Sequence, residues 1–350
     1  MRKYDFLFIQ NAPAFYKINL FNALSANLRI GVIFLGESNQ VVMNKNSFLW
    51  KFDSYCLNKK ELDKENVFDI ICSTFRLWKL MKSLKSKYII YGGWSYMEFI
   101  IMMFLTSRIR NCVISESSIY ESSITGIKRI IKRWIVNLCS HAFVSGIPHK
   151  EVLLKLGYKG EIHITGGVGL ALRNLKVKRE NLCNTYPLRY IYTGRLIKKK
   201  NVDLLIEAFN ENGKPLTIIG NGCNENEFRR KAKSNIIFLG FIENDKLQDI
   251  YANHDCFILP SYSEAWGLVV EEALYNGLPV IVSNMVGCNI DMVKNYDSGI
   301  IFDCQSIESL QKAISQMELH YQYYKKNVNS IDWGKRDKEQ IEAFTSILSL

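Results

Sequence analysis

The sequence predicts an α/β protein with two Rossmann-like lobes, and three observations support this fold class. The chain has 350 residues, more than one hydrophobic core usually serves. Short apolar runs alternate with longer amphipathic segments, which is typical of strand–helix–strand units with parallel strands. The alternation is interrupted by the polar stretch 174–186 and then restarts. We therefore expect two sheets, one on each side of this stretch.

Five apolar runs in each half predict five buried strands per lobe. The runs are 5–9, 30–35, 88–91, 112–114 and 142–144, then 189–193, 216–219, 236–239, 256–259 and 280–282. We place an N-terminal lobe at 1–174, a linker at 175–187, a second lobe at 188–332 and a terminal helix at 333–350. The terminal segment is amphipathic and can pack against either lobe; we expect it to pack back on the first.

Composition excludes several classes of protein. With 48% hydrophobic and 23% charged residues, the chain can bury enough apolar surface to fold. Its nine cysteines include no C-x-x-C pair, which suits neither a disulfide framework nor a zinc site and indicates a reducing, cytoplasmic location. The apolar stretch near the N-terminus ends before Gln10, too early for a signal peptide.

One window resembles a membrane span. Residues 88–107 carry Glu98 as their only charge and approach the length of a spanning helix. However, Glu98 and the paired glycines Gly92 and Gly93 divide the window into two apolar runs. We therefore expect a buried strand followed by a buried helix.

The net charge of +11 is concentrated in the first half of the chain. Residues 1–175 hold 24 Lys/Arg and 12 Asp/Glu, whereas residues 176–350 hold 21 and 22. Basic proteins bind nucleic acid, anionic lipid or phosphorylated ligands. The first lobe is therefore where such a partner is expected.

In parallel sheets, ligands bind at the carboxyl ends of strands, and the second half carries suitable residues there. Its first strand is followed by Arg195 and the lysines 198–200, whose cations can converge on phosphate oxygens, although a solvated basic loop has the same composition. Gly220 and Gly222 permit a tight turn after the second strand. Ile242, after the third, can pack against a planar base or simply belong to the core.

The segment after the fourth strand has a more specific pattern. Glu264 lies just before a predicted helix, Gly267 in its first turn, and Glu271 and Glu272 inside it. The N–H groups of a first helical turn form an anion site, and carboxylates accept hydrogen bonds from sugar hydroxyls. Helical geometry alone does not choose between the two adjacent glutamates.

At these residues the chain resembles the retaining GT-B glycosyltransferases of family 4, whose hallmark is a glutamate, seven residues and a second glutamate. Glu264 and Glu272 match that spacing. The resemblance covers roughly 188–303. It extends back through Arg195, Lys200 and the glycines after the second strand, and forward through 277–281. It implies a GT-B fold: two Rossmann-like lobes with a donor cleft between them.

The resemblance also implies roles for individual residues. Arg195 and Lys200 would hold the diphosphate of a nucleotide sugar, and Glu264 and Glu272 would bind the donor sugar and the ribose. The remaining donor contacts would come from the backbone of Gly267, Leu268 and Val269 on the diphosphate, from Ile242 at the base, and from the loop of Gly220 and Gly222.

The first half matches the family more loosely. After the first strand, where the family has its acceptor-side loop, stand Asn11, Pro13 and Tyr16. We add Gly93 and Trp94, which follow the third apolar run, as acceptor-side candidates. Two loops depart from the family pattern. Where relatives usually read Asn-Gly-Val-Asp, this chain has Gly166-Gly167-Val168-Gly169. Where many relatives place a histidine, this chain has Glu116, which we take as a catalytic candidate.

We expect a metal-independent reaction without a cofactor, since two cations and a helix N-terminus can stabilise a departing diphosphate. No Asp-x-Asp motif is present; the nearest approach is Glu61-Leu62-Asp63. The five histidines show neither H-E-x-x-H nor paired spacing, so we expect no metal site among them and structural roles instead. The resemblance further implies retention of configuration at the transferred sugar.

The segment 126–134 interleaves cations with Ile127, Ile130, Ile131 and Trp134 on one helical face. A membrane-surface helix has this pattern, and so does a core helix with a basic solvent face. We expect a cytoplasmic protein held peripherally on the inner, anionic face of the cell membrane. There it would meet a glycan or polyprenyl-diphosphate-linked saccharide acceptor in bacterial surface polysaccharide synthesis.

Two other functions remain open. A GT-B-fold sugar-nucleotide epimerase would share the lobes and the diphosphate site. A basic nucleic-acid-binding protein is disfavoured because no recognition helix or RNA-binding sheet motif is evident. For the transferase, a UDP-sugar donor is favoured, with GDP-mannose next.

Overall fold

The computed structural model describes residues 3–36, 50–59, 66–170 and 187–349. The chain divides into two units. Among the described residues, unit 1 holds those within 1–117, 122–172 and 334–350, and unit 2 holds those within 118–121 and 173–333. Of the predicted linker 175–187, residues 175–186 lie outside the described residues, as does Glu61-Leu62-Asp63.

Unit 1 is a parallel sheet with helices between its strands. Its elements are β1 (Lys3–Gln10), α1 (Phe15–Leu24), β2 (Ile30–Gly36), β3 (Asp53–Lys59), α2 (Val67–Ser83), β4 (Lys85–Tyr91), α3 (Met97–Leu105), β5 (Asn111–Ser115), α4 (Gly126–Val136), β6 (His141–Val144), α5 (Ile147–Leu156) and β7 (Glu161–Ile164). The seven strands are ordered β3-β2-β1-β4-β5-β6-β7.

Aromatic side chains dominate one core of unit 1. Phe8 and Phe143 lie at its centre, and the C-terminal part of the chain supplies Phe344, whose ring stacks on Phe143 at 4.4 Å between centroids. Ile347 is also buried there, and its carbonyl accepts a hydrogen bond of 3.0 Å from the Tyr88 hydroxyl. Burial of these apolar surfaces therefore holds the terminal segment on unit 1.

Unit 2 repeats the alternation of strands and helices. Its elements are β8 (Tyr190–Thr193), α6 (Val202–Asn212), β9 (Leu216–Ile219), α7 (Glu225–Lys231), β10 (Ile236–Gly240), α8 (Asn244–Ala252), β11 (Cys256–Leu259), α9 (Leu268–Tyr275), β12 (Val280–Ser283), β13 (Gly299–Phe302), α10 (Ile307–Leu319) and α11 (Tyr321–Asn329). The chain continues into α12 (Trp333–Thr345). The sheet is parallel and ordered β10-β9-β8-β11-β12-β13.

Each sheet contains a topological switch point, where the strand order reverses. In unit 1 the chain moves outward from β1 to β2 and β3 and then returns to β4 on the other side of β1. In unit 2 it does the same from β8 to β10 and returns to β11. The loops that follow the two strands of a switch point diverge and leave a crevice, which is where open α/β sheets bind ligands.

The ten strands expected from apolar runs are all present, and among the described residues the sequence did not predict three others: β3, β7 and β13. All three lie at sheet edges, as does β10, which was predicted. An edge strand is covered less completely, so its sequence tolerates polar residues. β3 and β7 accordingly include Asp53 and Glu161, whereas β13 is apolar and its omission has no such explanation.

The strand and the helix expected in the apolar window 88–107 are present as β4 and α3. The helix is buried on one side only: Phe99 and Met102 are buried, whereas Phe104 and Leu105 are exposed. Within the described ranges, no helix combines the length and the apolar character needed to cross a membrane.

The core-helix interpretation of α4 is wrong. Ile127, Ile130, Ile131 and Trp134 are 75%, 68%, 51% and 53% exposed. Only the last two residues of α4, Ile135 and Val136, are buried. The apolar face of this helix therefore points to solvent.

Candidate functional site

The switch point of unit 2 brings two loops together, one following β8 and one following β11. The amide of Tyr262 donates a 3.0 Å hydrogen bond to the carbonyl of Lys199. Next to this link, the Lys200 ammonium forms an ion pair with the Glu264 carboxylate. These two side chains are only 13% and 19% exposed, so solvent screens their attraction less than it would at an open surface.

Backbone contacts fix the position of Glu264. Its amide donates to the carbonyl of Met285, and its own carbonyl accepts from the amide of Gly287. A parallel bridge between Glu264 and Val286 completes this arrangement. The carboxylate thus projects from a paired backbone, although it lies outside the regular strands and helices.

The loops after β8 and β9 pack so closely that two positions require glycine. A side chain on Gly220 would overlap the carbonyl oxygen of Gly194, and one on Gly222 would overlap that of Leu196. Gly220 also has φ +133°, a conformation that other residues rarely adopt. These glycines therefore fix the loop that carries Arg195, which is itself exposed.

Helix α9 begins beside Glu264. Gly267 precedes it with φ +101°, and the first helical residues are Leu268 and Val269. Because the first N–H groups of a helix have no partner within the helix, they point outward and favour an anion. The observed helix start is where the sequence predicts a diphosphate-binding turn.

Glu271 and Glu272 differ in their surroundings. Glu271 is 3% exposed and accepts a 2.8 Å hydrogen bond from Nε1 of the buried Trp266. Glu272 is half-buried; desolvation, and then the neighbouring Glu271 carboxylate, raise its pKa to about 7. Glu271 is thus held in the core, whereas Glu272 is a partly accessible acid that titrates near neutral pH.

Other predicted donor residues lie at the same edge of the sheet. Gly220 donates its amide to the carbonyl of Gly240, which links the loops after β9 and β10. Ile242 lies in that second loop and is half-buried. Glu121, which the sequence did not single out, pairs with Lys199 at 3.8 Å. Burial is the largest cause that raises the pKa of Glu121, opposed by the Lys199 charge.

The switch point of unit 1 joins the loops after β1 and β4. Asn11 donates a 3.3 Å hydrogen bond to the hydroxyl of Tyr96. A side chain on Gly92 would overlap the amide of Gln10, so these loops are also in close contact. Pro13, Gly93 and Trp94 are half-buried in the same two loops.

Glu116, the catalytic candidate, forms an ion pair with Lys17 of α1. The Lys17 side chain is 8% exposed and that of Glu116 is 35% exposed. Tyr16, next to Lys17, has a raised pKa because of burial first and the Glu116 charge second. Its phenol is therefore neutral, and Glu116 is neutralised by a buried cation rather than left as an isolated acid.

The glycine-rich loop 166–169 has a structural explanation. A side chain on Gly169, which has φ +155°, would lie 2.5 Å from the carbonyl oxygen of Tyr16. The amide of Leu170 donates to that same oxygen at 3.0 Å. An aspartate at position 169 would not fit here, which accounts for this departure from the usual pattern of the relatives.

Sequence reasoning missed Lys17, Tyr96, Glu121 and Trp266 as partners of the predicted residues. Lys17 is next to Tyr16 in the sequence, and Trp266 lies between Glu264 and Gly267. Proximity in sequence to these predicted residues was the one signal that could have identified Lys17 and Trp266. By contrast, the contacts of Tyr96 and Glu121 join parts of the chain 85 and 78 residues apart, so no local pattern reveals them.

A chain with two parallel α/β sheets, each with its polar residues gathered at a switch point, has the architecture of the GT-B class. Residues 175–331 match the model of the family described as glycosyl transferases group 1. The resemblance to glycosyltransferases expected from the sequence is therefore confirmed over this segment.

Among curated proteins, the putative teichuronic acid biosynthesis glycosyltransferase TuaC of Bacillus subtilis is 30% identical over 140 residues. This match covers 39% of the present chain and 34% of TuaC. The first relatives are matched over only 34–44% of their own length.

Solved structures match nearly the whole chain. The lipopolysaccharide outer core galactosyltransferase WaaB in its apo form gives a TM-score of 0.72 at 16% identity, covering 99% of this chain and 100% of WaaB. HepE of Anabaena in complex with UDP-glucose gives a TM-score of 0.68 at 14% identity, and the match covers 98% of this chain and 100% of HepE. At such identities the likeness shows the fold alone. The predicted GT-B fold with two Rossmann-like lobes is confirmed.

Proposed function

We propose that this protein is a glycosyltransferase that moves a sugar from a nucleotide-diphosphate sugar to a glycan or a lipid-linked saccharide. The observation that carries this proposal is the arrangement at the switch point of unit 2. There the Lys200–Glu264 pair joins the loops after β8 and β11, and α9, which carries the titrating Glu272, begins shortly after Glu264 in the chain.

In this proposal the nucleotide sugar separates the Lys200–Glu264 pair. The diphosphate takes the Lys200 ammonium together with Arg195, while the freed Glu264 carboxylate accepts hydrogen bonds from the donor sugar. The ion pair thus holds the Lys200 ammonium and the Glu264 carboxylate in position before the donor binds. Preorganised charges of this kind contribute most to the stabilisation of a transition state.

The leaving diphosphate gains negative charge as its bond to the anomeric carbon breaks. Arg195, Lys200 and the backbone of Gly267, Leu268 and Val269 stabilise that charge. We propose on this basis that the reaction needs neither a divalent metal nor a cofactor. We also propose retention of configuration, with the acceptor hydroxyl attacking from the face that the diphosphate leaves.

Glu272 binds the ribose in this proposal, and Ile242 with the loop of Gly220 and Gly222 surrounds the base. The accessible position of Glu272 supports the choice of this residue over Glu271. A UDP-sugar is the favoured donor, followed by GDP-mannose. The fold likeness to HepE, whose structure contains UDP-glucose, supports the first of these.

We assign acceptor binding to unit 1. The loops with Asn11, Pro13 and Tyr16 and with Gly93 and Trp94 would bind the saccharide, and Glu116 would assist catalysis there. The proposed acceptor is a glycan or a polyprenyl-diphosphate-linked saccharide in bacterial surface polysaccharide synthesis. The similarity to TuaC, named for teichuronic acid biosynthesis, supports this process.

We further propose that the protein works in the cytoplasm, peripherally bound to the inner face of the cell membrane through α4. The exposed apolar face of this helix is accompanied by Lys128 and Arg129, which are exposed as well. The ring of Phe104 lies 6.1 Å from that of Trp134 and extends the apolar surface. Exposed apolar side chains next to cations match an anionic lipid surface, and no nucleic acid is required to explain the charge.

A thermal-shift panel of nucleotide sugars tests the donor site. We expect a UDP-sugar to raise the melting temperature of the full chain, since a ligand that binds only the folded state stabilises it. Glu272→Gln should lose this response. The matched control is Glu207→Gln, which removes an exposed carboxylate of α6 and should retain the rise in melting temperature.

Two results would overturn the proposal. An undiminished thermal shift in Glu272→Gln would contradict the ribose assignment. Release of an epimerised nucleotide sugar in the absence of any acceptor would identify an epimerase instead of a transferase.

A further inference from the structure

Two of the five histidines meet in unit 1, at the edge of the sheet opposite the loops described above. β6 and β7 pair in parallel with His141 opposite Glu161 and Phe143 opposite His163. Residues opposite each other, and residues two apart in a strand, project from the same face of a sheet. His141, Glu161 and His163 therefore share one face.

Polar atoms of the three side chains lie close to one another. Nδ1 of His141 lies 3.2 Å from Nε2 of His163. Oε2 of Glu161 lies 3.5 Å from the first nitrogen and 3.8 Å from the second. In a tetrahedral zinc site with bonds of about 2.0–2.1 Å, neighbouring ligand atoms are about 3.3–3.4 Å apart. The observed separations are close to this spacing.

We propose that His141, Glu161 and His163 bind a divalent transition-metal ion, with Zn²⁺ as the preferred ion. Two imidazole nitrogens and a carboxylate oxygen form a ligand set suited to Zn²⁺, and they leave a fourth position for water. The site is separate from the proposed transfer reaction, which uses the opposite edge of the sheets.

The surroundings of His163 support metal binding. Its second ring nitrogen, Nδ1, lies 3.3 Å from the hydroxyl of Ser346. Metal-binding histidines usually engage a partner through the nitrogen that does not bind the metal, which fixes the orientation of the ring. Ser346 therefore occupies the position of such a partner, and the ion would tie the segment after α12 to β6 and β7.

The side chains of His141 and His163 are 11% and 15% exposed, so Glu161 forms the open side of the cluster. Glu161 itself is 62% exposed, which leaves a path for the ion from solvent.

Zn²⁺ titration of the chelator-treated full chain, followed by calorimetry, tests this site. We expect one Zn²⁺ per chain and a rise in melting temperature on binding. His163→Ala should abolish binding, and Glu161→Gln should weaken it by about tenfold or more. Ser346→Ala removes the hydroxyl beside Nδ1 of His163 and should weaken Zn²⁺ binding by about tenfold.

Three controls separate this site from adventitious binding. His320→Ala and Cys223→Ser remove an exposed histidine and an exposed thiol elsewhere, and both should bind Zn²⁺ like the parent chain. With Co²⁺ as a probe, the absorption spectrum should lack a thiolate charge-transfer band. His141 is buried and its replacement risks misfolding, so the exposed Glu161 and the half-buried His163 carry the test.

The proposal fails if the parent chain binds no Zn²⁺. It fails equally if His163→Ala and Glu161→Gln bind Zn²⁺ as tightly as the parent, or if the Co²⁺ spectrum shows thiolate ligation.

Discussion

Glu271 and Glu272 are neighbours in α9, yet the first accepts a hydrogen bond from buried Trp266 and the second is a half-buried acid with a pKa near 7. Successive residues of a helix point about 100° apart, so Glu271 lies in the core while Glu272 keeps partial access to solvent. This difference supports Glu272 as the donor ligand.

The raised pKa of Glu272 predicts a pH-dependent donor affinity. An ionised carboxylate is a stronger acceptor for ribose hydroxyls than a protonated one. With a pKa of about 7, donor affinity should therefore rise about tenfold between pH 6 and pH 8 and then level off. Calorimetric titration of a UDP-sugar at several pH values measures this. A pH profile in Glu272→Gln as steep as that of the parent would assign the titration to another group.

The same group affects stability. The folded state keeps the Glu272 proton up to about pH 7, whereas the unfolded chain loses it near pH 4.5. Between these values the folded state binds more protons, so its stability falls as pH rises, by up to about 3 kcal/mol. Glu272→Gln should remove this fall in stability. Urea unfolding of the parent and of Glu272→Gln at pH 5 and pH 8 measures the unfolding free energies. Equal changes with pH in the parent and the variant would contradict the prediction.

The Lys200–Glu264 pair predicts non-additive effects on folding. Removal of either partner leaves the other as a poorly solvated charge, whereas removal of both does not. We expect a coupling energy of about 1–3 kcal/mol from the unfolding free energies of Lys200→Ala, Glu264→Ala and the double variant. Strictly additive costs would show that the two charges are independent in solution. All three variants should lose donor binding.

Gly220 and Gly213 form a matched pair for testing the loop contact. Both have positive φ, but only a side chain at Gly220 would overlap another loop, at the carbonyl of Gly194. Gly213→Ala should cost about 1 kcal/mol through backbone strain alone. Gly220→Ala should cost about 2–3 kcal/mol and should also impair donor binding. Equal losses of stability in urea titrations would contradict the overlap.

The exposed face of α4 predicts binding to anionic vesicles. Replacing Ile130 and Trp134 by serine should abolish flotation, and replacing Lys128 and Arg129 by serine should weaken binding roughly thirtyfold, at about 1 kcal/mol per cation. Leu319→Ser, which removes a 77% exposed side chain of unit 2, is the control and should float like the parent. Equal binding of the parent to neutral and anionic vesicles, or binding to neither, would refute membrane attachment.

Among the described residues, the sequence predicted ten of the thirteen strands because buried parallel strands are covered on both faces and read as continuous apolar runs. The edge strands β3 and β7 lacked that signal, whereas β13 was missed although its residues are apolar. Similarly, the family resemblance that suggested the proposed donor site could be read from the spacing of Glu264 and Glu272, because both lie within one loop-and-helix segment. Lys17, the partner of Glu116, is 99 residues away in the chain, and only the fold brings them together.

By itself, the sequence determined the α/β class, the two sheets and the loops that carry the candidate site, because hydrophobic periodicity and short motifs are local properties. The tertiary structure decided which of two adjacent glutamates faces the core and that the apolar side of α4 faces solvent. It also brought His141 and His163 to within 3.2 Å of each other. Each of these depends on which distant segments pack against a residue, and that is set by strand order and register.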